Sequence, residues 1–308
     1  MKQSPDKTGF NDSRYEKTLV LKSIRPREDW PRKVDSRGRI RKICVLDTET
    51  TGIDVARHLV IEICAATVLV DEIGRVVGIQ SIGDALQDPG RPLPSEIVEL
   101  TGLNDADLEG QRIETDRLIS FIEHCEAVVA FNSGFDRPHV EKLLPALRPM
   151  PWGCAMADVP WRNLGFEPGP QGYLLMQTGR YNPSAHRAKD DVLALIELLD
   201  HVCEDSESVM AKVLAAIEAP AWRFEASNAA YDYKDDLRER RYRWIAERTH
   251  RLWHKHVRPS EFRDEYRWYK RTICKRPVVV PLPASERYRA NNTWQPTRPR
   301  ITTPSWLK

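Results

Sequence analysis

The chain has 308 residues, of which 41% are hydrophobic and 30% charged, and carries a formal net charge of +2 at pH 7. That length holds a full-sized core domain plus something smaller. No apolar run reaches the roughly 18 residues of a membrane span and no signal peptide opens the chain, so a soluble, cytoplasmic protein without a membrane partner is expected.

The small net charge hides a segregation. Residues 1–40 hold 11 Lys and Arg against 6 Asp and Glu, residues 41–220 hold 15 against 29, and residues 221–308 hold 21 against 10. An acidic middle between basic ends suits a polyanion that must be both held and metal-activated, although a merely solvated surface produces the same counts. The six cysteines (Cys44, Cys64, Cys125, Cys154, Cys203, Cys274) form no CxxC pair. They read as buried thiols of a reducing compartment, not as disulfides or a zinc site.

In chain order, residues 1–40 form a basic arm that packs through Val20, Leu21 and Trp30 without a core of its own. Ile43 to Asp47 is the first strand, and Gly52 lets the chain turn after it. Leu59 to Val70, LVIEICAATVLV, is a long apolar strand with Glu62 inside it, and Arg75 to Ser81 returns as a hairpin partner. A short helix between Pro94 and Gly102 follows, with a Pro/Ser start and a Gly stop. The spacing of Leu118, Phe121 and Ile122 predicts a helix over 114–124. Ala127 to Asn132 is a buried strand, Phe135-Asp136 opens a helix, and a short strand is expected near Ala155 to Val159. A helix around Tyr173 to Thr178 precedes a long one from Arg187 to Cys203, where Val192, Leu195, Ile196 and Leu199 line one face. This order argues for a mixed α/β sheet.

Four acids and one histidine carry the chemistry. Asp47 and Glu49 are one residue apart on a strand end, so both carboxylates point to the same face. Two acids that close repel each other unless one is protonated or both bind a cation, and hard divalent ions prefer oxygen ligands. A bare D-x-E is more often a solvated strand end, and its weight comes from the company it keeps. Asp136 follows a buried strand, and Asp191 lies early in the long helix with His186 five residues before it. Each acid alone also fits an ordinary helix N-terminus.

Taken together, DTETTG, VELTGL, AFNSGFDRP and HRAKDD, in that order over residues 43–203, resemble the DEDDh family of 3′-to-5′ exonucleases. That family includes the proofreading epsilon subunit of bacterial DNA polymerase III and RNA-trimming enzymes. The resemblance implies a ribonuclease H-like fold, a mixed five-stranded sheet flanked by helices, over a domain at 41–220. It implies that Asp47, Glu49, Asp136 and Asp191 hold two divalent metals, Mg²⁺ or Mn²⁺, and that His186 is the general base. Paired metals about 3.5–4 Å apart neutralise charge on the attacking and leaving oxygens of a phosphodiester, and an imidazole can take a proton from water near neutral pH. The resemblance also sets Thr50, Thr51, Leu100, Thr101 and Gly102 against the terminal nucleotide. The chain departs from many relatives at Phe131, where histidine is common, and at Ser133. Both change the surroundings of Asp136 without removing a ligand.

Residues 221–272 read as a small, basic, aromatic-rich α+β module: a helix through Leu237, strands at Tyr242 to Ile245 and Arg251 to Val257, and a helix from Ser260 to Tyr269. It is similar to a module appended to some epsilon-like exonucleases, except that Arg241 stands where glycine is usual. Its alternation of Arg and Lys with Trp and Tyr suits a nucleic-acid strand, while the same aromatics also serve as a core. Residues 273–308, rich in Pro and Arg, read as a tail.

The leading expectation is a metal-dependent 3′-to-5′ exonuclease that releases nucleoside 5′-monophosphates from single-stranded DNA 3′ ends, in proofreading or repair. A polymerase or a replication or repair complex is its expected partner. The alternatives are an RNA-trimming exoribonuclease and a non-catalytic binding module.

Overall fold

The computed structural model describes residues 20–33, 38–226, 229–246, 251–274 and 277–289. The chain begins with β1 (Lys22–Ser23) and enters a meander of β2 (Arg41–Thr50), β3 (Val60–Val70) and β4 (Val76–Leu86). Three helices, α1 (Ser95–Thr101), α2 (Asp105–Leu108) and α3 (Thr115–Ile122), lead to β5 (Ala127–Ala130) and α4 (Ser133–Leu143). Then come β6 (Trp152–Cys154), the single turn α5 (Ala155–Asp158), α6 (Gln171–Gln177), β7 (Arg180–Tyr181), α7 (Ala188–Asp200) and α8 (Val209–Glu218). The last part holds β8 (Trp222–Ala226), α9 (Lys234–Glu239), β9 (Arg243–Ala246), β10 (Arg251–Val257), α10 (Pro259–Thr272) and β11 (Val278–Pro281).

The central sheet has five strands in the order β4-β3-β2-β5-β6, with β4, β3 and β2 antiparallel and β2, β5 and β6 parallel. Helices flank it on both faces, which gives the α/β, ribonuclease H-like arrangement. Alternation along β2 sorts the two layers. Ile43 and Val45 join the core beneath α7, with Val192, Leu195 and Leu199, while Cys44 and Leu46 join the core beneath α3 and α4, with Ile122 and Val140. Every residue of β3 is buried, as a central strand covered on both faces requires. At roughly 1.5–3 kcal/mol for each fully buried Val, Leu or Ile, these two cores fix the register of β2 against β3.

The N-terminal segment packs on this frame. Trp30 is buried in the α7-side core, whereas Val20 is exposed. β1 pairs in parallel with β7, and Arg25 makes ion pairs with Glu197 and Asp200 of α7. Residues 1–19 and 34–37, which the sequence assigns to the same arm, lie outside the described residues.

A second, antiparallel sheet has the order β11-β8-β10-β9. Trp222, Phe224, Val257 and Val279 meet Phe262 and Tyr269 of α10 in a separate core. Two of its strands differ from the sequence reading. WRFEA (β8) alternates Trp222, Phe224 and Ala226 in the core with Arg223 and Glu225, a buried ion pair at 2.8 Å, on its other face. It lies in the block that the sequence reading opens with a helix through Leu237. β11 lies in the stretch read as tail, and it pairs with β8 over four residues. A third correction falls at Ala155 to Val159, expected as a strand: the strand is Trp152–Cys154, and the chain then coils into α5, where the Asp158 carboxylate accepts the Cys154 N–H at 2.8 Å. Among the described residues no disulfide joins any of the six cysteines; five are buried as expected, and Cys274 is exposed instead.

Candidate active site

β2 ends in the acidic pair. The alternation that sends Ile43 and Val45 toward α7 continues through Asp47 and Glu49, so both carboxylates emerge on the side from which α7 approaches. Asp191, in the first turn of α7, meets them there: ligand oxygens of Asp47, Glu49 and Asp191 all lie within 4.8 Å of one another. Asp136 lies outside that trio. It sits in the first turn of α4, on the other side of β2, and its Oδ1 accepts a hydrogen bond from the buried hydroxyl of Thr48 at 2.8 Å. Thr48 points opposite to its two acidic neighbours, so one strand end carries contacts to both helices.

Burial first, and the neighbouring acids second, push the Asp47 carboxyl well above the usual carboxylate range; Asp136 is the largest of those neighbours, followed by Asp191 and Glu49. Glu49 is pushed up to about 8 by burial and then by Asp191, with Arg187 offsetting part of the rise. Burial raises Asp136 to about 7 against the opposing hydrogen bond from Thr48, and it raises Asp191 as well. Four acids that all resist ionisation describe a place short of positive charge. An all-oxygen donor set of this kind fits hard divalent cations, so the residues present suit Mg²⁺ or Mn²⁺.

Asp191 is held by its own surroundings. Its Oδ2 accepts the backbone N–H of His186 at 2.8 Å, its Oδ1 accepts Asn182 Nδ2 at 3.2 Å, and its carbonyl accepts Gln171 Nε2 at 2.9 Å. The His186 backbone is left-handed, with φ 70°, and its side chain is exposed. The backbone bond thus anchors the loop to Asp191, and the ring is left unburied.

Sequence reasoning gave Glu62 no role. It lies directly across the ladder from Glu49 and is buried to 1% exposure. Its carboxylate accepts Arg187 Nε at 3.1 Å and Nη2 at 3.0 Å, and the Ala188 N–H that opens α7 at 3.2 Å. One buried acid therefore ties the start of α7 to β3 and sets Asp191 opposite Glu49. The available signal was a lone glutamate inside an apolar strand, which must be paired to be buried.

The residues expected against a terminal nucleotide are placed as follows. Thr50 and Thr51 are buried at the turn after β2. The Thr50 hydroxyl donates to the Gly52 carbonyl at 2.8 Å, and Thr51 Oγ1 accepts the Leu59 N–H at 3.1 Å. Gly52 itself has φ 148°, and a Cβ there would meet the His58 ring at 2.7 Å. At α1, Leu100 is 48% exposed, Thr101 is buried and donates to the Ile97 carbonyl, and Gly102 caps the helix in a left-handed conformation. Phe131, at the position where histidine is common in the resembling enzymes, packs against the α7-side core. A groove of about 950 Å³ beside α3 and α4 is lined by His58, His139, Lys142 and Arg112 and contains none of the four carboxylates. The site is placed at the carboxylates because the donor chemistry is there.

Around α9 and the second sheet, cations pair with aromatic rings. Lys234 Nζ lies 4.2 Å from the ring centre of Tyr231, and Arg238 lies 5.8 Å from that of Trp253. Trp253 packs 5.4 Å from Trp244. Tyr231 and Trp244 are 76% and 47% exposed.

Residues 44–158 match the family profile described as Exonuclease, RNase_T. That match supports a nuclease. No curated protein matches the chain. Among solved structures, the chain is similar to E. coli ExoI in a zinc-bound complex with single-stranded DNA, at 14% identity and TM-score 0.44, over 71% of this chain and 63% of that one. It thus spans less than two thirds of that protein. It is also similar to exonuclease X in complex with 5′-overhanging duplex DNA, at 20% identity and TM-score 0.38, over 55% of this chain and 99% of that one. A full-length 3′-exonuclease is similar at 16% identity and TM-score 0.39, over 57% of this chain and 64% of that one.

Proposed function

We propose that the chain is a divalent-metal-dependent 3′-to-5′ exonuclease that removes nucleoside 5′-monophosphates from DNA 3′ ends. The observation that carries this reading is the convergence of Asp47, Glu49 and Asp191 at the end of β2, with Asp136 bonded to the threonine between the first two. Asp47, Glu49, Asp136 and Asp191 would hold two divalent ions, which when bound stabilise negative charge on the reacting phosphate and its leaving oxygen. His186 is the proton acceptor for the attacking water. Its exposed ring belongs to a loop anchored to Asp191 through the His186 backbone N–H, which leaves the imidazole free of that structural contact and supports this role. Glu62 and Arg187 keep α7, and with it Asp191, in place. Leu100 offers an exposed apolar edge on which a terminal base could rest.

The exposed Tyr231, beside Lys234, and the exposed Trp244, packed on the Trp253 that Arg238 approaches, suit base stacking with phosphate contacts, so in this reading this part of the chain holds the strand behind the 3′ end. Proofreading or repair, and a polymerase as partner, follow from the resemblance of residues 43–203 to proofreading nucleases. The choice of DNA over RNA rests on the same resemblance. Digestion of matched DNA and RNA oligonucleotides with Mg²⁺ tests it: faster loss of the DNA supports the proposal, and faster loss of the RNA replaces it with the exoribonuclease reading.

A further inference from the structure

Arg137 follows Asp136 directly and has no solvent exposure at all. A guanidinium has five N–H donors, and burying one without acceptors for all of them is strongly unfavourable. Here every donor is met. Nε bonds Glu141 Oε1 at 2.8 Å, Nη1 bonds the carbonyls of Arg287 at 2.7 Å and Ala284 at 3.3 Å, and Nη2 bonds those of Ser285 at 2.6 Å and Arg148 at 3.0 Å. Three of the five acceptors come from one segment almost 150 residues away. That segment is fastened independently at both sides. Arg287 donates to the carbonyls of Ala216 and Ala219 at the end of α8, at 2.5 and 2.6 Å, and the Tyr288 hydroxyl donates to Asp158. Arg289 reaches back to Glu141 at 3.3 Å, one turn after Arg137 on the same face of α4.

We infer that Arg137 is a positioning residue for the active site, and that the segment Ala284–Arg289, which follows the second sheet, acts through it to hold the first turn of α4 and hence Asp136. The inference rests on the reading of Asp136 as a metal ligand. Its geometric basis is that the segment grips α4 at positions 137 and 141, while Asp136 faces Thr48 on β2. Without the segment, three of the five donors lose their acceptors, and the turn that carries Asp136 must move to find others. The second sheet and the segment after it are then part of the support for catalysis, in addition to any contact they make with a strand.

The test is Mn²⁺ binding to the full-length protein, read by electron paramagnetic resonance, together with hydrogen exchange of the α4 amides. Four variants are compared: Arg137→Met, Arg137→Lys, and Arg287→Met and Arg289→Met, which loosen the segment without altering Arg137. Cooperative melting is checked for each. Arg137→Met and Arg287→Met are expected to weaken Mn²⁺ binding by about tenfold or more, the range seen when outer partners of metal ligands are lost. Exchange at Ser133 to Val140 should rise with it, and Arg137→Lys should recover part of both. If Arg137→Met does not fold, the two segment variants decide. Wild-type Mn²⁺ affinity and unchanged α4 exchange in the folded variants overturn the inference. A wild-type protein that binds no Mn²⁺ overturns the metal-site reading instead.

Discussion

His186 combines two jobs that can be separated by substitution. Its backbone N–H holds Asp191 Oδ2, and its imidazole is free of that duty. Removing the ring while keeping the backbone should therefore remove the proton acceptor and spare the carboxylate cage. His186→Ala is expected to lower the single-turnover rate by about 10²- to 10⁴-fold, with Mn²⁺ affinity nearly unchanged. A loss of metal binding equal to the loss of rate would place the imidazole among the structural groups. The pairing of Asp47 with Glu49 was legible in the sequence because strand alternation alone aims two residues at one face. The hydrogen bond from Thr48 to Asp136 was not, because it depends on where α4 docks. Glu62 was visible as an oddity but its partner was not, since Arg187 lies 125 residues further on.

Single elements show where periodicity reads well and where it fails. β3 was legible as an unbroken apolar run, and α7 as a helix with one apolar face, because in both a repeating contact dictates the pattern. β8 and β11 were missed, since two of the five residues of one are charged and proline-rich flanks disguise the other. The turn after α9 shows a local rule being overridden. Arg241 adopts φ 65°, where glycine is the ordinary choice, and the Tyr242 N–H still closes the helix onto the Leu237 carbonyl at 2.8 Å. Burial of Tyr242 against Trp268 and Tyr269 compensates for the unfavourable backbone. Trp244 of β9 and Tyr231, in the turn before α9, are exposed to solvent. If these rings stack on bases, at about 1–3 kcal/mol each, the double variant Tyr231→Ala, Trp244→Ala should raise KM on long single strands by 10-fold or more. Its kcat on a dinucleotide should be unchanged. Equal KM values for the variant and the wild type on long strands would leave the aromatics with a packing role alone.

At the scale of the whole molecule, the acidic middle makes stability depend on pH and on metal together. The site acids have folded-state values raised above their unfolded ones, with Asp136 at about 7 and Glu49 at about 8. A raised carboxyl favours the folded state while it is protonated. That contribution is fully present below the ordinary carboxylate range near pH 4 and is lost as pH rises through about 7 to 8. The metal-free protein should therefore melt at progressively lower temperature between pH 5 and pH 8.5, in ranges where its other groups are matched by a Glu49→Gln control. Mg²⁺ should raise the melting temperature most at the alkaline end, where the cage is ionised, and EDTA should reverse the gain. A metal shift that is larger at pH 5 than at pH 8.5 would contradict this electrostatic account. Among the described residues no helix is long and apolar enough to cross a membrane.

The claim on which the rest depends is tested most directly by following single-stranded DNA labelled at its 3′ or its 5′ end through digestion by the full-length protein and by its Asp47→Asn variant, with Mg²⁺ and with EDTA. The account predicts immediate release of the 3′ label as a nucleoside 5′-monophosphate, a 5′-labelled ladder that shortens step by step, and loss of both with EDTA or with Asp47→Asn. Release of the 5′ label first, digestion that survives EDTA, or an Asp47→Asn variant as active as the wild type would contradict it.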